Sequence, residues 1–306
     1  MTVLFIGFGS IAQKHKNALL QLYPEAALFA LRSKKDASSI SGVTNIYEWS
    51  ALPSHVDFAV VATPTFLHME SLNILLRKKI PVMLEKPIAA SLDGLDAFSE
   101  RINAEHAFVY IACNLRFLPV LQFLKKFITE KKPVINEVNI YCGSFLPSWR
   151  LGVDFRKNYS ALAEMGGGVH LDLFHELDYA YWLFGLPQQS QVIKRNVSSL
   201  KINAVDYAMY LWEYKKFTAA ITLNYYRPVA KRNIEIVFEE DVWNADILTN
   251  EIKNSKNEII FSNQQYQIAN TYFDQMKYVT DCLQNKQRPL LNTFGTSLKI
   301  LKLCLS

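Results

Sequence analysis

The side chains able to do chemistry gather in one run, Gly166-Gly-Gly-Val-His-Leu-Asp-Leu-Phe-His-Glu-Leu-Asp178. Asp172 and His175 are three residues apart, which places them side by side on a helical surface. A carboxylate next to an imidazole holds the ring in position and tunes its affinity for a proton. On ideal helical geometry His175 lies about −60° and Glu176 about +40° around the axis from Asp172, so both can face one cleft. An imidazole titrates near neutrality unaided, whereas a Glu needs burial or a like charge to rise that far. His175 is therefore the expected proton carrier, with Glu176 as the alternative. His170 reads as a helix cap or a substrate contact. Gly166, Gly167 and Gly168 lack Cβ atoms and would let a bulky ligand approach. Leu171, Phe174, Leu177, Tyr181 and Phe184 recur at helical spacing, and Gly185 with Pro187 is a stop, so one continuous helix is expected here.

The elements ahead of that run alternate. Val3–Ile6 is wholly apolar, as in a strand buried on both faces. It ends in Gly7-Phe-Gly9-Ser-Ile-Ala12, the G-x-G-x-x-G/A turn of a dinucleotide-binding unit. Gly7 permits the turn, Gly9 admits a pyrophosphate, and Ala12 lets the helix pack on the strand. Ser10 and Ile11 open that helix, about Ile11 to Leu22, whose positive end faces the phosphates. Ala27–Leu31 is the second strand. At the ribose position after it stand Arg32, Ser33 and Lys34, where a NAD site carries an acid; a guanidinium and a hydroxyl bind a 2′-phosphate, which favours NADP. Asp36 leaves NAD open. Phe58–Ala62 is a further strand, broken by Thr63-Pro64-Thr65 and followed by a helix from Leu67 to Arg77 with His68 in its first turn. Val82–Leu84 runs into Glu85-Lys86-Pro87, which puts a Lys at the carboxyl end of a buried strand. Ser91 reads as the cap of a helix from Leu92 to Ala104, and Phe108–Ala112 is one more strand.

Later runs alternate with period two: Val138–Cys142, Gln191–Val197, Tyr207–Tyr214, Thr218–Tyr226, Asn233–Phe238 and Val242–Leu248. They predict a mainly antiparallel, open sheet. Asn270–Gln284 and Thr296–Leu303 read as closing helices. The expected organisation is a Rossmann domain over residues 1–117 and an α+β domain over 118–306. Trp212, Tyr225, Tyr226 and Trp243 either fill that core or cover a dimer face.

The chain has 306 residues, half of them hydrophobic, and a net charge of +5. No long basic stripe interleaved with aromatics argues for nucleic-acid binding. Cys113, Cys142, Cys282 and Cys304 are far apart, which points to reduced thiols in a cytoplasmic protein and no metal site. No signal peptide and no membrane span is read.

Taken in order, Gly7-x-Gly9-x-x-Ala12, Ala62-Thr-Pro-Thr65 with His68, Glu85-Lys86-Pro87 and the Gly166–Asp178 run resemble the glucose–fructose oxidoreductase/inositol dehydrogenase/rhizopine catabolism (Gfo/Idh/MocA) family. The resemblance implies a Rossmann domain followed by a domain with a large open sheet, and hydride transfer between a nicotinamide and a sugar or polyol. It implies that Lys86 lies beside the nicotinamide and the substrate hydroxyl, and that Asp172 and His175 complete the polar set. It further implies cofactor contacts from Thr63, Pro64, His68, Glu85 and Pro87. The spacing departs from the family's Asp-x-x-x-His, since here the fourth position is Glu176. Tyr141–Arg150 and Asp154–Lys157 resemble a subgroup linked to bacterial surface-polysaccharide and nonulosonic-acid sugars. Asn114, Arg116, Arg156, Tyr159 and His170 are the substrate candidates. The open antiparallel sheet predicts a homo-oligomer. The rival class is a Rossmann protein that senses NAD(P) or a sugar without turnover.

Overall fold

The computed structural model describes residues 1–33, 39–150 and 152–306; Lys34 and Asp36, weighed above for the ribose position, lie outside the described residues. The first elements are β1 (Thr2–Ile6), α1 (Ser10–Leu22), β2 (Ala27–Leu31), β3 (Thr44–Ile46), β4 (Phe58–Val61), α2 (His68–Arg77), β5 (Val82–Leu84), α3 (Leu95–Ala104) and β6 (Val109–Ile111). Next come α4 (Pro119–Lys131), β7 (Ile135–Phe145), α5 (Val169–Asp172), α6 (Phe174–Phe184), β8 (Gln189–Arg195), β9 (Tyr207–Glu213) and β10 (Thr218–Asn224). The chain closes with β11 (Tyr226–Phe238), β12 (Val242–Asp246), β13 (Glu251–Lys253), β14 (Ile259–Ser262), α7 (Asn270–Gln284) and α8 (Phe294–Leu305).

Two compact units result: residues 1–114 with 269–301, and residues 115–268 with 302–306. The boundary read at residue 117 thus differs at both ends. Met276 and Val279 of α7 join Ala12, Ala18 and Leu19 of α1 in the core of the first unit. A stretch that follows the second unit in sequence therefore belongs to the first, because its apolar face is buried there.

Among the described residues, the first unit holds a six-stranded parallel sheet in the order β3-β2-β1-β4-β5-β6. β1, β4 and β5 bury nearly every side chain, as expected of strands covered on both faces. The order reverses between β1 and β4, and that switch point is where open α/β sheets bind ligands, outside the strands' carboxyl ends.

The second unit holds an eight-stranded sheet, β14-β13-β12-β11-β7-β10-β9-β8. β7 and β10 pair in parallel and the other neighbours are antiparallel. Alternate residues of β7, β9 and β10 are buried, including Val138, Ile140, Tyr210, Trp212, Ile221 and Leu223. Trp212 and Trp243 belong to the core. Helix α4 has no counterpart in the sequence reading, although Pro119 at its first turn and a left-handed Lys132 at its end are ordinary bounds.

The helix expected over Leu171–Phe184 is broken. Leu173 (φ −91°, ψ 36°) separates α5 from α6. Nothing in Leu-Asp-Leu-Phe is a helix breaker. The break accompanies two tertiary bonds, from Asp172 to Tyr225 and from Glu176 to Arg232, as described below. The angular relation of Asp172 to His175 and Glu176 on an ideal helix therefore does not hold. The start of α3 also shifts, since Gly94 (φ +70°) is its N-cap while Ser91 donates to Asp93.

Candidate functional site

In the first unit, the loop after β1 turns at Gly7 (φ +77°), where a Cβ would meet the Ala62 carbonyl and Thr63 at 3.0 Å. Gly9 has open space on its Cβ side. It is also the N-cap of α1, whose end carries no side-chain cap and no acid in its first turn. The helix therefore presents free N–H groups to an anion. Ser10 is exposed, Ile11 half-buried, and Ala12 fully buried against the sheet. A cavity of ≈ 470 Å³ opens beside Gly7 at the carboxyl edge, lined among others by Arg32, Ser33, Tyr47, Thr63, Pro64 and Glu70. The Arg32 Nη1 atom is buried with no hydrogen-bond partner, and so is the Thr63 hydroxyl. A buried guanidinium N–H without an acceptor is costly, so this wall suits a ligand that brings acceptors. These features fit a dinucleotide.

Two residues expected at the cofactor have other employment. His68 is buried; its Nδ1 lies 2.9 Å from the Pro87 carbonyl oxygen and its Nε2 3.0 Å from the Thr63 carbonyl oxygen. Both ring nitrogens thus face backbone carbonyls; burial pushes the ring's pKa down against those two acceptors, and the neutral ring donates to one of them. Glu85 is 8% exposed and its carboxylate accepts from His15 Nε2 at 2.6 Å. Only the segment's middle residue, Lys86, is half-exposed at the carboxyl end of β5.

In the second unit, Asp172 ends α5 half-exposed. The Tyr225 hydroxyl, fully buried between β10 and β11, donates to its Oδ2 at 2.5 Å. The Tyr159 hydroxyl also faces Asp172. Burial first, and then the Asp172 charge, push both phenols well above their ordinary pKa. Asp172 is thus a carboxylate fixed by phenols. Trp149 packs edge-on against Tyr225, and Arg150 lies 5.4 Å from the Tyr159 ring centre. Of the two expectations for Tyr225, core and interface, the core holds, since its ring is fully buried; a period-two strand pattern carries no signal for its hydroxyl being aimed at a helix end.

His175 and Glu176 separate at α6. His175 is half-exposed, whereas Glu176 is fully buried and accepts from Arg232 Nε at 2.6 Å, with the Tyr179 hydroxyl at 3.4 Å. An acid enclosed in an ion pair is a structural group, so Glu176 is not the free edge of the helix.

The other substrate candidates divide similarly. Arg116 is 4% exposed and forms a two-pronged pair with Asp178, Nε at 2.9 Å and Nη2 at 2.7 Å. Asn114, in the first unit, is buried and donates to Thr271 at 2.6 Å. Both are occupied in holding the fold, because a long polar side chain behind a buried strand needs its own partners. Arg156 is exposed, over the Phe155 ring and 4.0 Å from Asp154. His170 is buried in α5, its Nδ1 without a partner, and is not a cap. The glycines ahead of it also serve the chain itself. A Cβ on Gly167 would lie 2.0 Å from the Tyr159 carbonyl oxygen, and Gly168 has φ +135° against the His170 ring. Gly167 thus admits the Tyr159–Leu162 loop, and Gly168 the His170 ring.

Sequence reasoning missed His15. Its signal is a polar residue on the apolar stripe Ala12, His15, Ala18, Leu19 of α1, all buried. Among the described residues no cluster of His, Cys, Asp and Glu could hold a metal ion, and no helix is long and apolar enough to cross a membrane.

Residues 1–112 match the family model described as an oxidoreductase family with an NAD-binding Rossmann fold, GFO_IDH_MocA. Over 148 residues the chain is 30% identical to the 2,7-anhydro-N-acetylneuraminate hydratase of Mediterraneibacter gnavus, covering 47% of this chain and 37% of that protein. The chain thus spans well under two thirds of that relative's length. Two solved structures share its fold. The WlbA dehydrogenase of Bordetella pertussis, in complex with NADH and UDP-GlcNAcA, has a TM-score of 0.81 at 17% identity, covering 100% of this chain and 93% of that one. GenD2 from gentamicin A biosynthesis, in complex with NAD, has a TM-score of 0.82 at 16% identity, covering 100% and 92%.

His170 yields a prediction. Burial, and then the Lys194 charge, lower its pKa from 6.5 to about 4. Between those values the unfolded chain takes up a proton that the folded ring refuses, so stability falls as pH drops from 6.5 towards 4. The loss is on the order of 3 kcal/mol from this group. Urea midpoints measured at pH 7 and pH 4.5 are expected to differ less in His170→Gln than in the parent.

Proposed function

We propose, from the match of residues 1–112 to the Gfo/Idh/MocA oxidoreductase family model, that the protein is an NAD(P)-dependent oxidoreductase acting on a carbinol or carbonyl carbon of a sugar, nucleotide sugar or polyol. The observation that carries this reading is Lys86. It is a half-exposed amine between two buried, tethered neighbours, at the carboxyl end of β5 in a sheet whose edge is otherwise built for a dinucleotide.

The bound nicotinamide supplies or accepts the hydride. Lys86 meets the substrate oxygen as a cation and stabilises the charge that develops on it. His175 moves the hydroxyl proton. Asp172, held by Tyr225 and Tyr159, is the fixed carboxylate that orients the imidazole or a sugar hydroxyl. Arg32 and Ser33 are read as the 2′-phosphate contacts of NADP. Glu70 lines the same cavity, so NAD is the competing nucleotide. A sugar is the reading for the substrate because Tyr159, Arg150 and Arg156 supply hydroxyl and guanidinium groups for an oxygen-rich ligand. The Mediterraneibacter relative is a 2,7-anhydro-N-acetylneuraminate hydratase, which adds a second reading, a hydratase acting on an anhydro sugar. The rival remains a binding protein that senses NAD(P) or a sugar. Four free cysteines are consistent with a cytoplasmic setting.

Nucleotide fluorescence titration is expected to give tighter binding of NADPH than of NADH, with Arg32→Asp reversing the order by roughly tenfold, the scale of one charge-assisted hydrogen bond. An unchanged preference in that variant removes Arg32 from the site.

With a turned-over sugar, followed by absorbance of the reduced nucleotide or, for the hydratase reading, by mass-spectrometric detection of the hydrated product, His175→Ala is expected to lower kcat by about 10²-fold or more. Lys86→Met is expected to do at least as much harm while nucleotide binding is kept. Glu176→Gln is expected to lower the denaturation midpoint more than kcat. Turnover lost with Glu176→Gln but kept with His175→Ala reverses the assignment.

We also infer a homo-oligomer through the open face of the second sheet. Ile193, Met209, Thr222 and Tyr141 form a paired row across β8, β9, β10 and β7, half-buried or exposed. Light scattering at micromolar concentration is expected to exceed the 35.1 kDa of one chain; a monomer mass overturns this.

A further inference from the structure

The segment Glu85-Lys86-Pro87 follows a strand of only three residues, Val82–Leu84, and must hold its middle side chain still. Backbone bonds do part of this, since the Glu85 N–H donates to the Val61 carbonyl at 3.0 Å. Pro87 has no N–H, so that residue can be tied only through its carbonyl. Two imidazoles from different helices complete the hold. His15, fully buried on α1, donates from Nε2 to the Glu85 carboxylate at 2.6 Å, and its ring packs edge-on against Tyr272 of α7 with centres 5.4 Å apart. His68, the first residue of α2, sets Nδ1 against the Pro87 carbonyl at 2.9 Å and Nε2 against the Thr63 carbonyl at 3.0 Å.

We propose that His15 and His68 are positioning residues for Lys86, one fixing the side chain before it and the other the carbonyl after it. This rests on the reading of Lys86 as the group that meets the reacting oxygen. Lys carries its charge on a stem with four rotatable bonds, so the place of its Nζ depends on how firmly the backbone beneath is fixed. A displacement of about 1 Å at a reacting centre costs on the order of 10²-fold in rate. The anchors also join the three loops of the ligand edge. His15 comes from the helix behind Gly7–Gly9, His68 ties the loop after β4, and both end on the segment after β5. Neither ring nitrogen of His68, and not the Nε2 of His15, is left for a ligand. The His15 Nδ1 is buried without a partner, so that ring offers one bond, and Glu85 receives it.

The test compares variants that keep the donor with variants that lose it. His15→Phe keeps an aromatic ring against Tyr272 and drops the bond to Glu85; His15→Gln retains a donor. His68→Leu and His68→Gln form the second pair. The Phe and Leu variants are expected to lower kcat about tenfold to 10²-fold, with nucleotide Kd and sugar KM within about threefold of the parent. The Gln variants are expected to recover most of the loss. A second readout does not need turnover: the rate at which acetic anhydride acetylates Lys86, followed by peptide mass spectrometry on the full chain. It is expected to change in the Phe and Leu variants and to stay near the parent in the Gln variants. Unchanged kcat and acetylation in His15→Phe and His68→Leu overturn the proposal. So does a joint fall of kcat, binding and thermal midpoint that Gln does not relieve, since that marks ordinary core histidines. If the parent turns over no sugar, the oxidoreductase reading fails by itself. The acetylation rates then decide the positioning role alone, and equal rates in all five proteins overturn it.

Discussion

A carboxylate taken out of water costs several kcal/mol unless donors meet it, and that constraint sorts the acids of this chain. Glu85 meets His15, Glu176 meets Arg232, and Asp178 meets Arg116. Each pair spans distant parts of the sequence within its own unit, and each fixes an element: the segment after β5, helix α6 against β11, and the same helix against the start of the second unit. Asp172 is different. Phenols are among its partners, and a phenol bonds a carboxylate without cancelling its charge. It also keeps part of its exposure.

The break at Leu173 lies between two acids sorted in this way. α5 directs Asp172 towards Tyr225, and α6 directs Glu176 towards Arg232. Once Glu176 is enclosed, His175 is the member of the pair with access. The family spacing Asp-x-x-x-His would put position 176 where this chain has its buried acid.

In the first unit, the ligand edge owes its shape to the reversal of strand order between β1 and β4. Helix α1 leaves on one side of that point and α2 on the other. Each sends a histidine back under the loops that the strands release. The edge is therefore cross-tied from below, while Gly9, the start of α1 and Arg32 stay open above it.

Much of the architecture is determined by sequence alone, for a local reason. Val3–Ile6, Phe58–Val61 and the glycine turn declare a parallel sheet, because doubly covered strands must be apolar throughout. The period-two runs declare the second sheet, because one face is half-wet. The order of Gly7–Ala12, Glu85–Pro87 and Gly166–Asp178 was enough to indicate the family. What only the tertiary structure decided are the partners. Arg116, Asn114, Glu85, His68 and Glu176 are all polar residues near motif positions, and sequence spacing marks them alike as candidates for a ligand. Whether such a side chain meets a ligand or another part of the chain depends on residues 5 to 157 positions away, most of them more than 50. Local pattern carries no record of that pairing. The same holds for Gly167, whose missing Cβ makes room for the chain's own Tyr159 carbonyl. It holds too for α7, which rejoins the first unit because its apolar face fits α1, a match visible only when both helices are folded.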